Sequence, residues 1–298
     1  MIRKFYQSNI GLSHYIVFLA AFVFLALAGQ YSFAQEGSRN SGTTSSQPIE
    51  IKADDALEWD RENQTYTAQG KAVATQGDTS VHAETLIADY KKGEDGSIQI
   101  WKLTALKGVE LRAPEGTAFG DKAIYLIEDG RAEMTGEKLT LKNPDQIITA
   151  KDRFEYYADE DKFIAIGDVI VKREEDTLKA DKAITFFKTD ENEERTLDRL
   201  EAEGNVEIIT PEETLTGRVG NYDPQSEIAE LIGNVKIVRG PNVLTGNRAT
   251  ADLKTNISRV YGAPKAGERV KGIFFPQNKD DTKVQDKNNK AGPEDGKT

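Results

Sequence analysis

The sequence predicts an all-β fold of about fourteen strands, arranged as about seven repeats of two antiparallel strands. Three observations predict it. Apolar and polar residues alternate along many short segments, the period of a strand with one dry and one wet face. A glycine recurs in the middle of these segments, and residues suited to turns follow each of them. No segment after residue 48 has helical periodicity.

The clearest strand is LEAEGNVEII, Leu200–Ile209. Leu200, Ala202, Val206 and Ile208 form its dry face, and Glu201, Glu203 and Glu207 its wet one. Gly204 sits in its middle. A glycine there weakens a strand by roughly 0.5–1 kcal/mol relative to alanine, and usually marks a bulge or a close backbone approach. AELIGNVKIV repeats the pattern around Gly233 and FIAIGDVIVK around Gly167. Weaker copies are YTAQGKAVAT (Gly70), TALKGVELRA (Gly108), AEMTGEKLTL (Gly136) and ISRVYGAPKA (Gly262). The intervals between these glycines are 38, 28, 31, 37, 29 and 29 residues. A period near 30 is the signature of a repeat architecture. The two long intervals hold polar inserts, near Lys91–Gln99 and Thr189–Arg195.

Each glycine strand leads into a turn rich in Gly, Pro, Asp or Asn, such as APEGT, KNPDQ or RGPNV. A second strand follows: SVHAETLIAD, AFGDKAIYL, IITAKDRFEY, TLKADKAITF, TLTGRVGNYD and VLTGNRATAD share an apolar start, a small residue, two polar residues and often an alanine. IEIKADDALEWD, Ile49–Asp60, reads as the seventh such strand. The repeat domain is therefore expected over residues 49–276.

The flanks differ in composition. Residues 1–34 read as a secretory signal peptide. Arg3 and Lys4 precede an apolar run, Ile16–Ala28, and Ser32 and Ala34 supply small residues before a cleavage site at Gln35. The run has 13 residues, fewer than the roughly 20 of a spanning helix; an uncleaved anchor is the alternative. Residues 35–48 are Ser-, Gly- and Thr-rich and read as a flexible linker. Residues 277–298 form a disordered polar tail. Export to a bacterial periplasm follows from the signal peptide. No cysteine is present to staple the fold there.

Composition excludes several functions. The net charge is −11, and cleavage at Gln35 makes it −13, because residues 1–34 carry two basic side chains and no acidic one. With no basic cluster, nucleic acid is not an expected partner. His14 lies in the signal peptide, which leaves His82 as the sole histidine of the mature chain. With one histidine and no cysteine, neither a nucleophile–base pair of the usual kind nor a zinc cluster is expected. Paired carboxylates such as Glu174 and Glu175 occur by abundance, and nothing in their spacing suggests a glycosidase. The acidic turns YADEDKF and KTDENEERT lack a calcium-loop spacing. The sequence points to no enzyme, no catalytic residue, no metal and no cofactor.

What remains is the dry face. It comprises Phe163, Ala165, Val169, Val171, Leu178, Leu200, Ala202, Val206, Ile208, Leu215, Leu231, Val235, Ile237 and Leu244. Two sheets packed on this face give a filled sandwich, or else a held-open interior for an apolar ligand. Small residues at Ala165, Ala180, Ala202, Gly204, Gly217 and Gly246 favour the open interior.

The repeated G-N-V-x-I followed by L-T-G-x-x-A, and above all VLTGNRATADLKTNISRVYG, Val243–Gly262, resembles the OstA-like family of lipopolysaccharide transport proteins, most of all its periplasmic bridge members. The likeness runs from about Ile49 to Phe275. It implies a twisted β-jelly roll, open along one side, whose interior holds the acyl chains of lipopolysaccharide against the fourteen residues named above. It further implies partners: LptC-like subunits in the inner membrane, LptD-like subunits in the outer membrane, and head-to-tail copies of the chain itself. The mid-strand glycines would then be bulges that curl the two sheets around a channel. An anchored LptC-like subunit and a secreted β-repeat scaffold with no lipid cargo remain as alternatives.

Overall fold

A computed structural model describes residues 49–275, except 94–95, 115, 190–194, 256, 264–266 and 268. The leader, linker and tail assigned to residues 1–34, 35–48 and 277–298 lie outside the described residues, as do the middle portions of both polar inserts.

All described regular structure is strand. The segments are β1 (Glu50–Lys52), β2 (Ala56–Asp60), β3 (Thr65–Gln76), β4 (Thr79–Lys92), β5 (Ile98–Ala113), β6 (Gly116–Leu126), β7 (Arg131–Thr135), β8 (Leu139–Lys142), β9 (Ile147–Ala150), β10 (Arg153–Tyr157), β11 (Lys162–Arg173), β12 (Asp176–Thr189), β13 (Arg195–Ile209), β14 (Thr214–Asp223), β15 (Ile228–Arg239), β16 (Asn242–Asp252), β17 (Ile257–Tyr261) and β18 (Lys271–Ile273). They form one antiparallel sheet.

Eighteen segments reduce to fourteen lines, the number expected from the repeat. Four lines are each broken in two. β1 and β2 both pair with β3, β7 and β8 with β6, β9 and β10 with β11, and β17 and β18 with β16. The chain is thus a continuous meander in which each line pairs with the next. The expected strands IEIKADDALEWD and IITAKDRFEY are two of the broken lines, interrupted at residues 53–55 and 151–152; the lines of AEMTGEKLTL and ISRVYGAPKA are the other two.

The interruptions and the glycines lie on one crease. Gly204 and Asn205 are both left-handed, at φ +75° and +46°, and together face the single residue Arg218 of β14. Gly233 and Asn234 do the same against Asn247. Gly70–Lys71 and Gly167–Asp168 follow suit, and Lys107–Gly108 repeats the device with the glycine second. Two residues opposite one is a β-bulge, which bends its strand and sharpens the twist. The expectation that Gly204 and Gly233 are bulges is met. Gly136 differs: it falls in the break between β7 and β8 and is not left-handed. Gly262 follows the end of β17.

The crease is held from the neighbouring strand. Asn205 Nδ2 donates to both oxygens of Asp181, at 3.1 and 2.9 Å. The Glu137 amide donates to Asp121 Oδ2 at 2.8 Å. Asp55 and Asp152 take the equivalent place beside Gly70 and Gly167. These are the polar residues of KADDA, FGDKA, TAKDR and KADKA, so the second strand of four of the seven repeats carries an aspartate clamp for a glycine strand.

Three hairpin turns are stabilised alike. Asp60 accepts from the Glu62 and Asn63 amides at 2.9 Å, Asp223 from the Gln225 amide at 2.8 Å, and Asp252 from the Thr255 amide at 3.0 Å. Each carboxyl lies below its ordinary value of 3.8, Asp60 and Asp252 mainly through these backbone donors and Asp223 mainly through the Ser226 hydroxyl. A group with a depressed folded value stabilises the fold above its unfolded value and ceases to do so as pH falls through the folded one. Stability is therefore expected to decline below pH 3.8. Urea midpoints measured across this range should fall, and the fall should flatten in a variant with all three aspartates changed to Asn.

Candidate functional site

The bent sheet folds its dry face inward. Ala202 and Val206 are buried, while Glu203 on the other face is exposed and pairs with Lys182 at 3.3 Å. This interior is not uniform along the chain. The C-terminal lines, from β11 onward, enclose a cavity of about 560 Å³. The N-terminal lines, β1 to β7, enclose one of about 80 Å³. Between them Leu139, Leu141, Ile148, Phe154, Tyr156 and Phe163 are buried and line neither cavity. Phe154 and Phe163 meet there with ring centroids 5.4 Å apart. The centre of the fold is filled and its C-terminal half is hollow.

All fourteen residues assigned to the dry face lie inside. Ten line the larger cavity: Val171, Leu178, Leu200, Ala202, Val206, Ile208, Leu215, Leu231, Ile237 and Leu244. The other four, Phe163, Ala165, Val169 and Val235, are buried within close-packed core and do not reach it. Space exists where the wall side chains are small. Gly220 stands between Val206, Ala202 and Leu231, and Ala229, Ala249 and Ala251 also line the cavity. Gly217 is already filled by the Leu231 side chain, which a Cβ there would displace.

Sequence reading missed the polar residues of this wall. Arg173, Asp176, Glu213, Arg239 and Asn242 line one end of the cavity, and Tyr222 lies toward the other. Glu213 is buried and paired with Arg239, Nη2 to Oε2 at 3.0 Å. Burial pushes the Asp176 carboxyl up, with Glu174 adding to the effect. Tyr222 is buried near the end of β14, as Tyr90, Tyr125 and Tyr156 are near the ends of β4, β6 and β10. Strand parity was the available signal, since Arg239 is two residues past Ile237 and Arg173 two past Val171.

His82 lies on β4, with Nε2 3.0 Å from Ser80 Oγ. It is away from both cavities.

The family model described as "LptA/(LptD N-terminal domain) LPS transport protein" matches this chain twice, at residues 50–161 and 148–257. The two matches overlap at β9 and β10, in the filled centre, and together span nearly the whole described sheet. Among solved structures, the chain is similar to one described as the crystal structure of LptH, the LptA homologous periplasmic component of the conserved lipopolysaccharide transport device from Pseudomonas aeruginosa. Identity is 13%, coverage is 77% of this chain and 96% of that one, and the TM-score is 0.20. No curated protein matches the chain.

Proposed function

The chain belongs to the LptA/LptD N-terminal domain family of lipopolysaccharide transport proteins, and on that premise we propose that it is a periplasmic bridge protein of the LptA type that shelters the acyl chains of lipopolysaccharide in its C-terminal trough. The observation that carries this reading is the 560 Å³ cavity walled by Val206, Leu215, Leu231 and Ile237. Burying one CH₂ is worth about 0.8 kcal/mol, so an acyl chain of roughly a dozen carbons has on the order of 10 kcal/mol at stake between water and such a trough. A lipid with several chains would cross the aqueous space slowly without cover. The apolar part of the wall gives such cover along its length.

The ends of the sheet support the bridging part of the proposal. The first line exposes Leu57 and Trp59, and the last exposes Ile257, Phe274 and Phe275. Among the described residues neither line has a strand on its far side. Unpaired edges with exposed apolar side chains suit docking by strand addition. LptC-like and LptD-like subunits at the two membranes, and further copies of this chain, are the partners proposed for them.

The test uses adjacent positions of β13. Val206 is 1% exposed and faces the cavity, whereas Glu207 faces outward and pairs with Lys179 at 2.8 Å. A photo-crosslinking amino acid is placed at each in turn, in cells that make lipopolysaccharide. Lipid adducts from Val206 and not from Glu207 are expected. A folded, exported Val206 variant without lipid adduct would turn the reading to a dry scaffold.

A further inference from the structure

One end of the C-terminal trough is charged. Arg173, Asp176, Thr210, Glu213, Arg239 and Asn242 come from successive hairpins and all line the cavity. Each is two residues from an apolar wall residue, as Arg239 is from Ile237 and Glu213 from Leu215. Side chains two apart on a strand share a face, so this polar collar sits on the interior side, where the rest of the pattern is apolar.

The collar is built rather than scattered. The Glu213 side chain is 7% exposed, and it accepts from Arg239 Nε at 3.2 Å and Nη2 at 3.0 Å. The Arg239 side chain it holds is half exposed. Asp176 Oδ1 is buried without a hydrogen-bond partner among the described residues. Burial raises this carboxyl above its ordinary value, with Glu174 adding to the effect and Arg173 opposing it. At the other end of the same cavity Tyr222 is 5% exposed, and its hydroxyl also lacks a partner among the described residues. Burial pushes that phenol up to about 12, so it stays a donor. Glu213 and Tyr222 lie nine positions apart along β14 and the residue before it, about 30 Å of strand.

A wholly apolar trough would accept a lipid in either direction. A charged collar at one end and a deep, lone hydroxyl at the other do not. We infer that the collar binds the phosphate-bearing head of an acylated lipid through Arg173 and Arg239, and so fixes the direction in which the lipid lies, its chains running toward Tyr222. This rests on the reading of the trough as a lipid channel and adds to it a point of head-group recognition. Guanidinium forks match phosphate oxygens. The outward faces of the same strands present Glu201, Glu203 and Glu207, which offer such a head no attraction.

The mature chain is titrated with dodecyl phosphate and with dodecyl maltoside, below micelle concentrations, against a fluorescent apolar dye. The phosphate is expected to bind about tenfold more tightly, the scale of one charge-assisted pair. Arg173→Gln combined with Arg239→Gln should remove that preference, so that the two amphiphiles bind with similar affinity. Because Arg239→Gln strands a buried carboxylate, Arg239→Lys is the control for folding and should keep most of the preference. Equal affinities in the unaltered chain, or a preference that survives the double change, would overturn the collar and leave the trough standing. If inorganic phosphate displaces dodecyl phosphate at equal concentration, the site takes a free anion and the inference fails. If neither amphiphile displaces the dye, the trough reading itself fails, and the collar with it.

Discussion

Gly204→Ala is expected to destabilise the domain by about 2–4 kcal/mol. Two terms contribute. A non-glycine residue held in the left-handed region costs about 1–3 kcal/mol, and Gly204 sits there at φ +75°. The added Cβ also collides with the Asp181 carboxylate, which receives two hydrogen bonds from Asn205. Moving the carboxylate aside forfeits them, at about 0.5–1.5 kcal/mol for a partly solvated pair. The terms separate by comparison. Gly108 is left-handed too, at φ +62°, but a Cβ there meets nothing within 4 Å. Gly108→Ala should therefore show the backbone term alone, about 1–2 kcal/mol. Urea unfolding with an unchanged slope would report both values. Asp181→Ala in the Gly204→Ala background should recover the collision part, a coupling that a double-mutant cycle reads directly. A Gly204→Ala protein as stable as its parent would mean that β13 can run straight, and that the crease is not what bends the sheet.

The same crease shows what the sequence makes legible and what it does not. Alternation in Leu200–Ile209 and the recurrence of Gly204, Gly233 and Gly167 are local signals, and they yield the strands, the repeat and the bulges. The clamp is local as well: Asp55, Asp121, Asp152 and Asp181 recur at one place in four of the seven second strands, although their role emerges only when each faces a bulge. The breaks at residues 53–55 and 151–152 carry Asp54, Asp55 and Asp152, but aspartate at the same place leaves β6 and β12 unbroken, at Asp121 and Asp181. Both breaks lie beside the bulges at Gly70 and Gly167, whose carbonyls accept from the Asp54 and Lys151 amides, and that is a property of pairing. The site divides in the same way. Parity finds the wall residues Val206, Leu215 and Ile237. It also places Arg173 and Arg239 inside, but polar residues at a hairpin end look like turn residues until the cavity is seen between them. That Phe163 and Val169 are packed solid while Leu200 and Leu231 border a hollow depends on the distance between the folded halves of the sheet. No single strand encodes that distance.

The filled centre carries the other large effect. Phe154 is fully buried, lies against Phe163, and is paired in register with Met134 on β7 and Ala165 on β11. Phe154→Ala should cost about 3–5 kcal/mol, the usual range for removing a buried phenyl ring; Phe154→Leu should cost much less, because it keeps most of the volume. The space freed, on the order of 100–150 Å³, would open behind Met134, which lines the N-terminal cavity. That cavity is small at present, about 80 Å³ against 560 Å³. With crosslinkers at Leu103 in the smaller cavity and Leu215 in the larger, lipid adducts in the parent should come mainly from Leu215. In Phe154→Ala, compared at equal folded fraction, the share from Leu103 should rise. A rise would identify the packing around Phe154 as a barrier inside the trough, one that lipid moving between the two halves must pass by displacing side chains. An unchanged share, with the expected loss of stability, would show that lipid reaches the N-terminal half along the open side of the roll, and that the centre serves only to hold the two halves of the sheet together.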